Sequence, residues 1–227
     1  MSATAYQDII ARKHVSFTPR GIQNVPPLSD KLFPHQRHST EFALRAGCSA
    51  LFLDTGLGKS FCALEWGRVV VAHTGKPVLM LAPLAVGPQH QREAEKFGIA
   101  AKYVREPHEI TGAGIWITNY ERLDKFDPSI FSGVILDESS ILKAFDGKTR
   151  THLIECCKDV PYRLAATATP APNDFMELGN HAEFLGLMSR VEFLATWFIK
   201  VDQGLRTTEH HGWRLKGHAR KPFFRWL

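Results

Sequence analysis

Residues Leu53-Asp54-Thr55-Gly56-Leu57-Gly58-Lys59-Ser60 carry the densest chemistry in the chain. They follow the apolar run Ser49-Ala50-Leu51-Phe52 and precede a helical pattern, the order in which a strand feeds a Gly-rich turn and then a helix. Two glycines let a backbone turn tightly and come close to an anion, so that N–H groups and the positive end of the following helix face phosphates. Thr55 to Ser60 would form the cradle, Lys59 would reach the β- and γ-phosphates, and the Ser60 hydroxyl would ligate magnesium. Leu53 stands where the general pattern places a small residue. The plainer alternative is that Gly56 and Gly58 only shape a strand-to-helix turn.

A second acidic site lies about 80 residues further on. Gly133-Val134-Ile135-Leu136-Asp137-Glu138 reads as an apolar strand ending in two carboxylates. Beside a phosphate loop, one such carboxylate holds magnesium and a second polarises the attacking water, which gives Asp137 the first role and Glu138 the second. Taken alone, the pair would as readily cap a helix.

The elements that must position these groups alternate along the chain. Pro34 suits a first helical turn and Gly47 a position just past a helix end, bracketing a helix from His35 to Ala46. Apolar runs at Ser49–Leu53, Val78–Ala82, Gly114–Thr118, Val134–Leu136 and Arg163–Ala166 read as strands. Helical patterns at Lys59–Ala72, Gln89–Phe97 and Lys148–Cys157 separate them, and a shorter one spans Tyr6–Lys13. The alternation predicts an α/β fold, a mostly parallel sheet with helices on both faces and ligands at the carboxyl ends of its strands.

Composition bounds the rest. A chain of 227 residues, 44% hydrophobic and 22% charged, can bury a sizeable core, which excludes disorder over most of its length. Four cysteines without paired spacing predict free thiols, Cys156 and Cys157 as one partly exposed and one buried, and a reducing cytoplasm. With no apolar run long enough to span a bilayer, no membrane partner is expected. His35, His38, His210, His211 and His218 show no metal-ligand spacing. Trp66, Trp116 and Trp197 read as core aromatics. From Lys200 to Leu227, seven Lys and Arg face two acids, which accounts for the whole net charge of +5. Interleaved with Trp213, Phe223, Phe224 and Trp226, these cations could track a nucleic-acid backbone, or the segment could belong to the packing of a further domain.

Six segments in order resemble the first motor lobe of superfamily-two helicases, most closely the Snf-type DNA translocases and their phage-encoded relatives. Leu32-Phe33-Pro34-His35-Gln36-Arg37 resembles the glutamine motif, and 54–60 the family's phosphate loop. Leu81-Ala82-Pro83-Leu84 with Gln89 to Glu95, and Ile117-Thr118-Asn119-Tyr120-Glu121-Arg122-Leu123, resemble the motifs along the nucleic-acid track. Asp137-Glu138-Ser139-Ser140-Ile141-Leu142-Lys143 resembles the acidic motif, and Ala166-Thr167-Ala168-Thr169-Pro170-Ala171-Pro172-Asn173 the coupling motif.

The resemblance implies a RecA-like phosphate-loop lobe that uses ATP and Mg2+ to move on DNA, duplex DNA first. Gln36 would contact adenine; Thr55, Gly56, Leu57, Gly58, Lys59 and Ser60 would bind phosphates; and Ser60 with Asp137 would hold the metal. Pro83, Thr118, Asn119 and Tyr120 would face nucleic acid, Tyr120 having core packing as its plainer reading. Thr167 and Thr169 would relay nucleotide state. It divides the chain into a lead-in (1–30), the ATP-binding lobe (31–199) and a basic aromatic junction (200–227) toward a second RecA-like lobe, in cis or in trans. That lobe would supply arginines worth ~10³ to 10⁵ in rate, so this chain alone is expected to be a weak ATPase. An intracellular setting in a bacterium or a phage-infected host follows. Ser139 and Ser140 stand where many members carry Ala-His or Cys-His, which predicts altered coupling. A non-catalytic nucleotide-sensing or DNA-binding module and a metabolic kinase are the other classes in view.

Overall fold

The computed structural model describes residues 18–140, 142, 147–171, 174–200 and 213–227. The helix expected at 6–13, the motif residues Ile141, Lys143, Pro172 and Asn173, and His210 and His211 lie outside the described residues. The chain enters through α1 (Pro34–Ala46), β1 (Cys48–Phe52), α2 (Lys59–Thr74), β2 (Val78–Ala82) and α3 (Gly87–Phe97). It continues through β3 (Ala101–Tyr103), β4 (Ile115–Asn119), β5 (Gly133–Asp137), α4 (Gly147–Cys157) and β6 (Tyr162–Thr167). The six strands form one sheet in the order β1-β6-β5-β2-β4-β3, every neighbouring pair parallel.

Alternate residues of each strand feed two cores. Val78 and Met80 of β2, Ile115 and Ile117 of β4, and Ile135 of β5 point into one apolar cluster with Phe61, Leu64 and Trp66 of α2. Leu79, Leu81, Trp116, Val134 and Leu136 point the other way, onto Leu153 and Cys157 of α4 and onto Phe184. All five residues of β2 are buried, as a central strand covered on both faces requires. Residues 18–33 run as a strap beside α1. The amides of Arg20, Gly21 and Ile22 donate to the carbonyls of Ala46, Arg45 and Leu44, which the helix end would leave unpaired. A β-carbon on Gly21 would sit 2.0 Å from the Leu44 carbonyl oxygen, so no other residue fits there.

Beyond β6 the structure departs from expectation. Helices α5 (Leu178–Phe184) and α6 (Arg190–Trp197), the antiparallel pair β7 (Phe198–Lys200) and β8 (Trp213–Leu215), and α7 (Arg220–Trp226) build a third cluster. Phe223 was expected to wait for a later domain. It is fully buried here, with its ring 5.7 to 6.1 Å from those of Trp197, Phe193 and Phe198. Segment 213–227 therefore packs on residues 175–198 of the same lobe, while Phe224 and Leu227 stay about half exposed. Trp66, Trp116 and Trp197 are all core residues. Cys157 is buried and Cys156 partly exposed; burial pushes the Cys157 thiol up to about 12. No helix among the described residues is long and apolar enough to cross a membrane.

Candidate functional site

Because every strand of the sheet runs the same way, all their carboxyl ends share one edge. The loop 54–58 leaves β1, Thr167 ends β6 and Asp137 ends β5. Pro83 follows β2, and Thr118 and Asn119 end β4. Thr167 pairs in register with Phe52, and Asp137 with Ala166, so the residues picked out as a phosphate loop, a relay and an acidic pair are side by side.

The loop turns on two glycines. Gly56 and Gly58 have φ of 83° and 78°, a region other residues enter at a cost. Asp54 to Leu57 are exposed, and a β-carbon on Gly56 would meet nothing within 4 Å, so the loop is an open backbone cradle. The Lys59 ammonium donates to the carbonyls of Leu53 (2.9 Å) and Asp54 (3.2 Å), which holds it over the loop. Gln36 is buried in α1. Its Oε1 accepts from the Phe33 amide at 3.0 Å and its Nε2 donates to the Leu57 carbonyl at 3.0 Å, joining the loop to the start of α1. Phe33 beside it is 65% exposed, with its ring stacked on that of His35.

Glu138 is the one described non-glycine residue with positive φ (53°). This strained turn aims its carboxylate back at β6, where Oε1 accepts from Thr167 Oγ1 at 2.8 Å and from Ser140 Oγ. Thr167 Oγ1 in turn accepts from the Thr169 amide at 3.1 Å. A continuous hydrogen-bonded path thus joins both threonines to Glu138. Ser139 is fully buried, and its Oγ lies 3.0 Å from Nε2 of His181 on α5, so a histidine does meet the acidic segment, from a later helix. Burial lowers that imidazole to about 4, with Glu177 opposing the shift. The His181 ring stands edge-on to Phe52, at the end of the loop strand.

Asp137 is held from the other side of the sheet. His90 Nε2 on α3 lies 2.7 Å from Asp137 Oδ2, and His90 Nδ1 lies 3.7 Å from a Glu93 carboxylate oxygen. Burial works against the charged imidazolium, but the bond and charge of Asp137, with Glu93, outweigh it and raise the pKa of His90. The Tyr120 hydroxyl donates to the Asp137 carbonyl at 2.8 Å. Burial, then the charges of Asp137 and Glu138, push that phenol well above its ordinary value, so the hydroxyl keeps its proton. Among the four residues expected to face nucleic acid, Thr118, Asn119 and Tyr120 are buried and Pro83 is partly exposed, next to Leu84 at 61%.

Sequence reasoning did not single out His90 or His181. A signal for His90 was present: in Gly87–Phe97 it shares the inward helical phase with Gly87 and Ala94, an apolar phase in which a histidine stands out. A cavity of about 540 Å³ lined by Thr74, Lys76, Asp127, Phe131 and Pro161 opens at the opposite, amino-terminal edge of the sheet, away from all these groups. Among the described residues, no group of three or more His, Cys, Asp or Glu side chains could hold a metal by itself. Ser60 and Asp137 carry a hydroxyl and a carboxylate, hard oxygens of the kind magnesium takes beside water and phosphate oxygens.

No protein-family model and no curated protein matches the sequence. Solved structures do match in shape. The Sulfolobus solfataricus SWI2/SNF2 ATPase core in complex with dsDNA aligns over 77% of this chain with a TM-score of 0.65 at 22% identity. The UvsW helicase from bacteriophage T4 aligns over 83% (TM-score 0.57, 13% identity), and the Pyrococcus furiosus Hef helicase domain over 67% (0.55, 19%). The fold is helicase-like. The α/β architecture expected from the alternation, RecA-like with a parallel sheet between helices, is the one observed. This helicase-like lobe spans 41%, 66% and 36% of the three matching chains.

Proposed function

We propose that this chain is the ATP-binding lobe of a DNA-dependent ATPase, a Snf-type, phage-like translocase or helicase whose motor is completed by a second RecA-like lobe. The observation that carries the proposal is the placement at adjacent strand ends of the phosphate loop, Thr167, the Asp137–Glu138 pair and the Pro83 segment. Residues 31–199 form the nucleotide lobe in this reading, with 1–30 leading in and 200–227 a junction whose segment 213–227 folds back on that lobe and turns Phe224 and Leu227 outward, toward the second lobe.

Gln36 braces the loop through Leu57, which supports the reading that it contacts the adenine of a bound nucleotide. Thr55, Gly56, Leu57 and Gly58 present backbone to phosphate, and Lys59 leaves its carbonyl partners to neutralise phosphate charge. Ser60 and Asp137 would hold Mg2+, which when bound screens the phosphate oxygens. Glu138 orients the attacking water and takes its proton. Thr167 and Thr169, bonded to Glu138 in series, report to β6 how that carboxylate is engaged. The partners are DNA, duplex first, along Pro83–Ala85, where Leu84 and Ala85 are exposed, with the buried end of β4 beside that segment, and the second lobe. The setting is the inside of a bacterial or phage-infected cell.

The test is steady-state ATPase activity with and without duplex DNA. A slow basal rate, stimulated by DNA and abolished by Lys59→Ala along with nucleotide binding, is expected. Glu138→Gln should bind Mg-ATP as the parent does and lose hydrolysis, because the amide keeps the shape but cannot accept a proton. Unchanged nucleotide affinity in Lys59→Ala, by calorimetry, would remove the phosphate-loop assignment.

A further inference from the structure

Asp137 receives a side chain at each of its two polar ends. His90 meets its carboxylate at 2.7 Å and the Tyr120 hydroxyl donates to its carbonyl at 2.8 Å. The two come from different strand ends. The His90 amide donates to the Val86 carbonyl at 3.1 Å, and the Val86 amide donates to the Pro83 carbonyl at 3.0 Å. A short series of hydrogen bonds therefore runs from Pro83, through the first turn of α3, to the carboxylate. Tyr120 follows Asn119 directly at the end of β4, and β2 lies between β4 and β5. Two strand spacings amount to roughly 9–10 Å, a gap that needs a long, stiff side chain with a polar tip.

Neither contact is needed to fill space. His90 and Tyr120 are 3% and 6% exposed, so each is fixed by packing. A leucine and a phenylalanine would fill those volumes without the desolvation that a buried imidazole–carboxylate pair incurs. What the polar atoms add is orientation of one residue, Asp137, from the two segments on the nucleic-acid side of the site.

We propose that His90 and Tyr120 are positioning residues through which the Pro83–Ala85 and Thr118–Asn119 segments set the orientation of Asp137, so that DNA and Mg-nucleotide binding are coupled at this residue. The proposal rests on the reading of the site as an ATP and DNA site. Displacement of the exposed Leu84–Ala85 turn by a bound phosphate backbone moves the His90 ring and, through Ala82 paired in register with Asn119, the Tyr120 hydroxyl, and Asp137 turns with them. Reciprocity then requires Mg-nucleotide to change DNA affinity by the same factor as DNA changes Mg-nucleotide affinity.

The experiment measures duplex DNA affinity of the full chain by fluorescence anisotropy, with and without Mg2+ and a non-hydrolysable ATP analogue. Analogue affinity alone is measured by calorimetry. The expected ratio of the two DNA affinities in the parent is on the order of 5- to 150-fold. Tyr120→Phe, which loses only a hydroxyl, and His90→Leu should each bring the ratio toward one, and His90→Gln, whose amide can still donate to Asp137, should restore most of it. If His90→Leu does not fold, Tyr120→Phe decides the matter. A parent that binds both ligands with a ratio of one, or variants that keep the full ratio, overturn this proposal and leave the site assignment standing. A parent that binds neither ligand overturns the site assignment itself, and this proposal with it.

Discussion

Acidification offers a sharp test of the buried histidine behind the acidic segment. His181 is 4% exposed, and burial lowers it from the usual 6.5 to about 4. The folded chain therefore keeps it neutral over a range in which the unfolded chain protonates it. With the folded value below the unfolded one, the contribution to stability is complete above about pH 6.5 and is lost as pH falls toward 4. A shift of that size corresponds to a ceiling of about 3 kcal/mol, of which about 2 kcal/mol is lost between roughly pH 7 and pH 5. Urea unfolding followed by tryptophan fluorescence gives the stability at each pH, since Trp66 and Trp116 lie in the two main cores. His181→Gln keeps a polar partner for Ser139 and cannot titrate in this range. Its stability should be flatter than the parent's by about 2 kcal/mol over the same window, with surface carboxylates contributing equally to both curves. Parallel curves would refute the reasoning, because they would mean that His181 is not shielded from water as the structure has it.

Two further substitutions probe the loop and the third cluster. Gly58→Ala forces a side chain at φ 78° and places its β-carbon 2.3 Å from Gln36 Nε2, so it should displace Gln36 and, if the proposed adenine contact holds, lower the ATP-to-GTP affinity ratio relative to the parent; an unchanged ratio in titration calorimetry would contradict this. Phe223→Ala empties a fully buried ring site and should cost about 3–5 kcal/mol in urea unfolding, whereas a loss below about 1 kcal/mol would show that segment 213–227 is not part of the folded lobe.

Which parts of this were legible beforehand follows from where the information lies. The central strands were, because five-residue apolar runs covered on both faces carry a strong local signal, and the strand-to-helix turn at 54–58 was, because its glycines are close together in sequence. Strand β3 was missed: three residues on the sheet edge, none of them fully buried, leave no pattern to read. The third cluster was missed for a different reason. Its hairpin joins Phe198–Lys200 to Trp213–Leu215 across an intervening segment, so aromatics that look stranded in the sequence are covered by residues far from them. A local cue for α6 did exist, in Ser189 and Glu192, whose side chains cap each other's amides. Within the site, the carboxylates could be picked out from one strand end, but His90 on the Asp137 carboxylate, Tyr120 on the Asp137 carbonyl and His181 on Ser139 come from three other elements that only the fold brings together.

The position of β1 constrains how the lobe is made. Among the described residues this strand lies at one end of the sheet order and pairs with β6 alone, Cys48–Phe52 against Arg163–Thr167. The strand that launches the proposed phosphate loop therefore meets its described strand partner only after more than a hundred further residues have been synthesised, and closing so long a loop is slow. During synthesis, α1 and α2 can form early around an unpaired β1, but the cradle and its acidic counterpart meet only when β6 slots between β1 and β5. A ribosome stalled before residue 162 would hold a chain with every phosphate-loop residue present and no completed sheet behind it. Binding of a fluorescent ATP analogue to such stalled chains of increasing length should then rise abruptly once β6 has cleared the exit tunnel, rather than once Ser60 has.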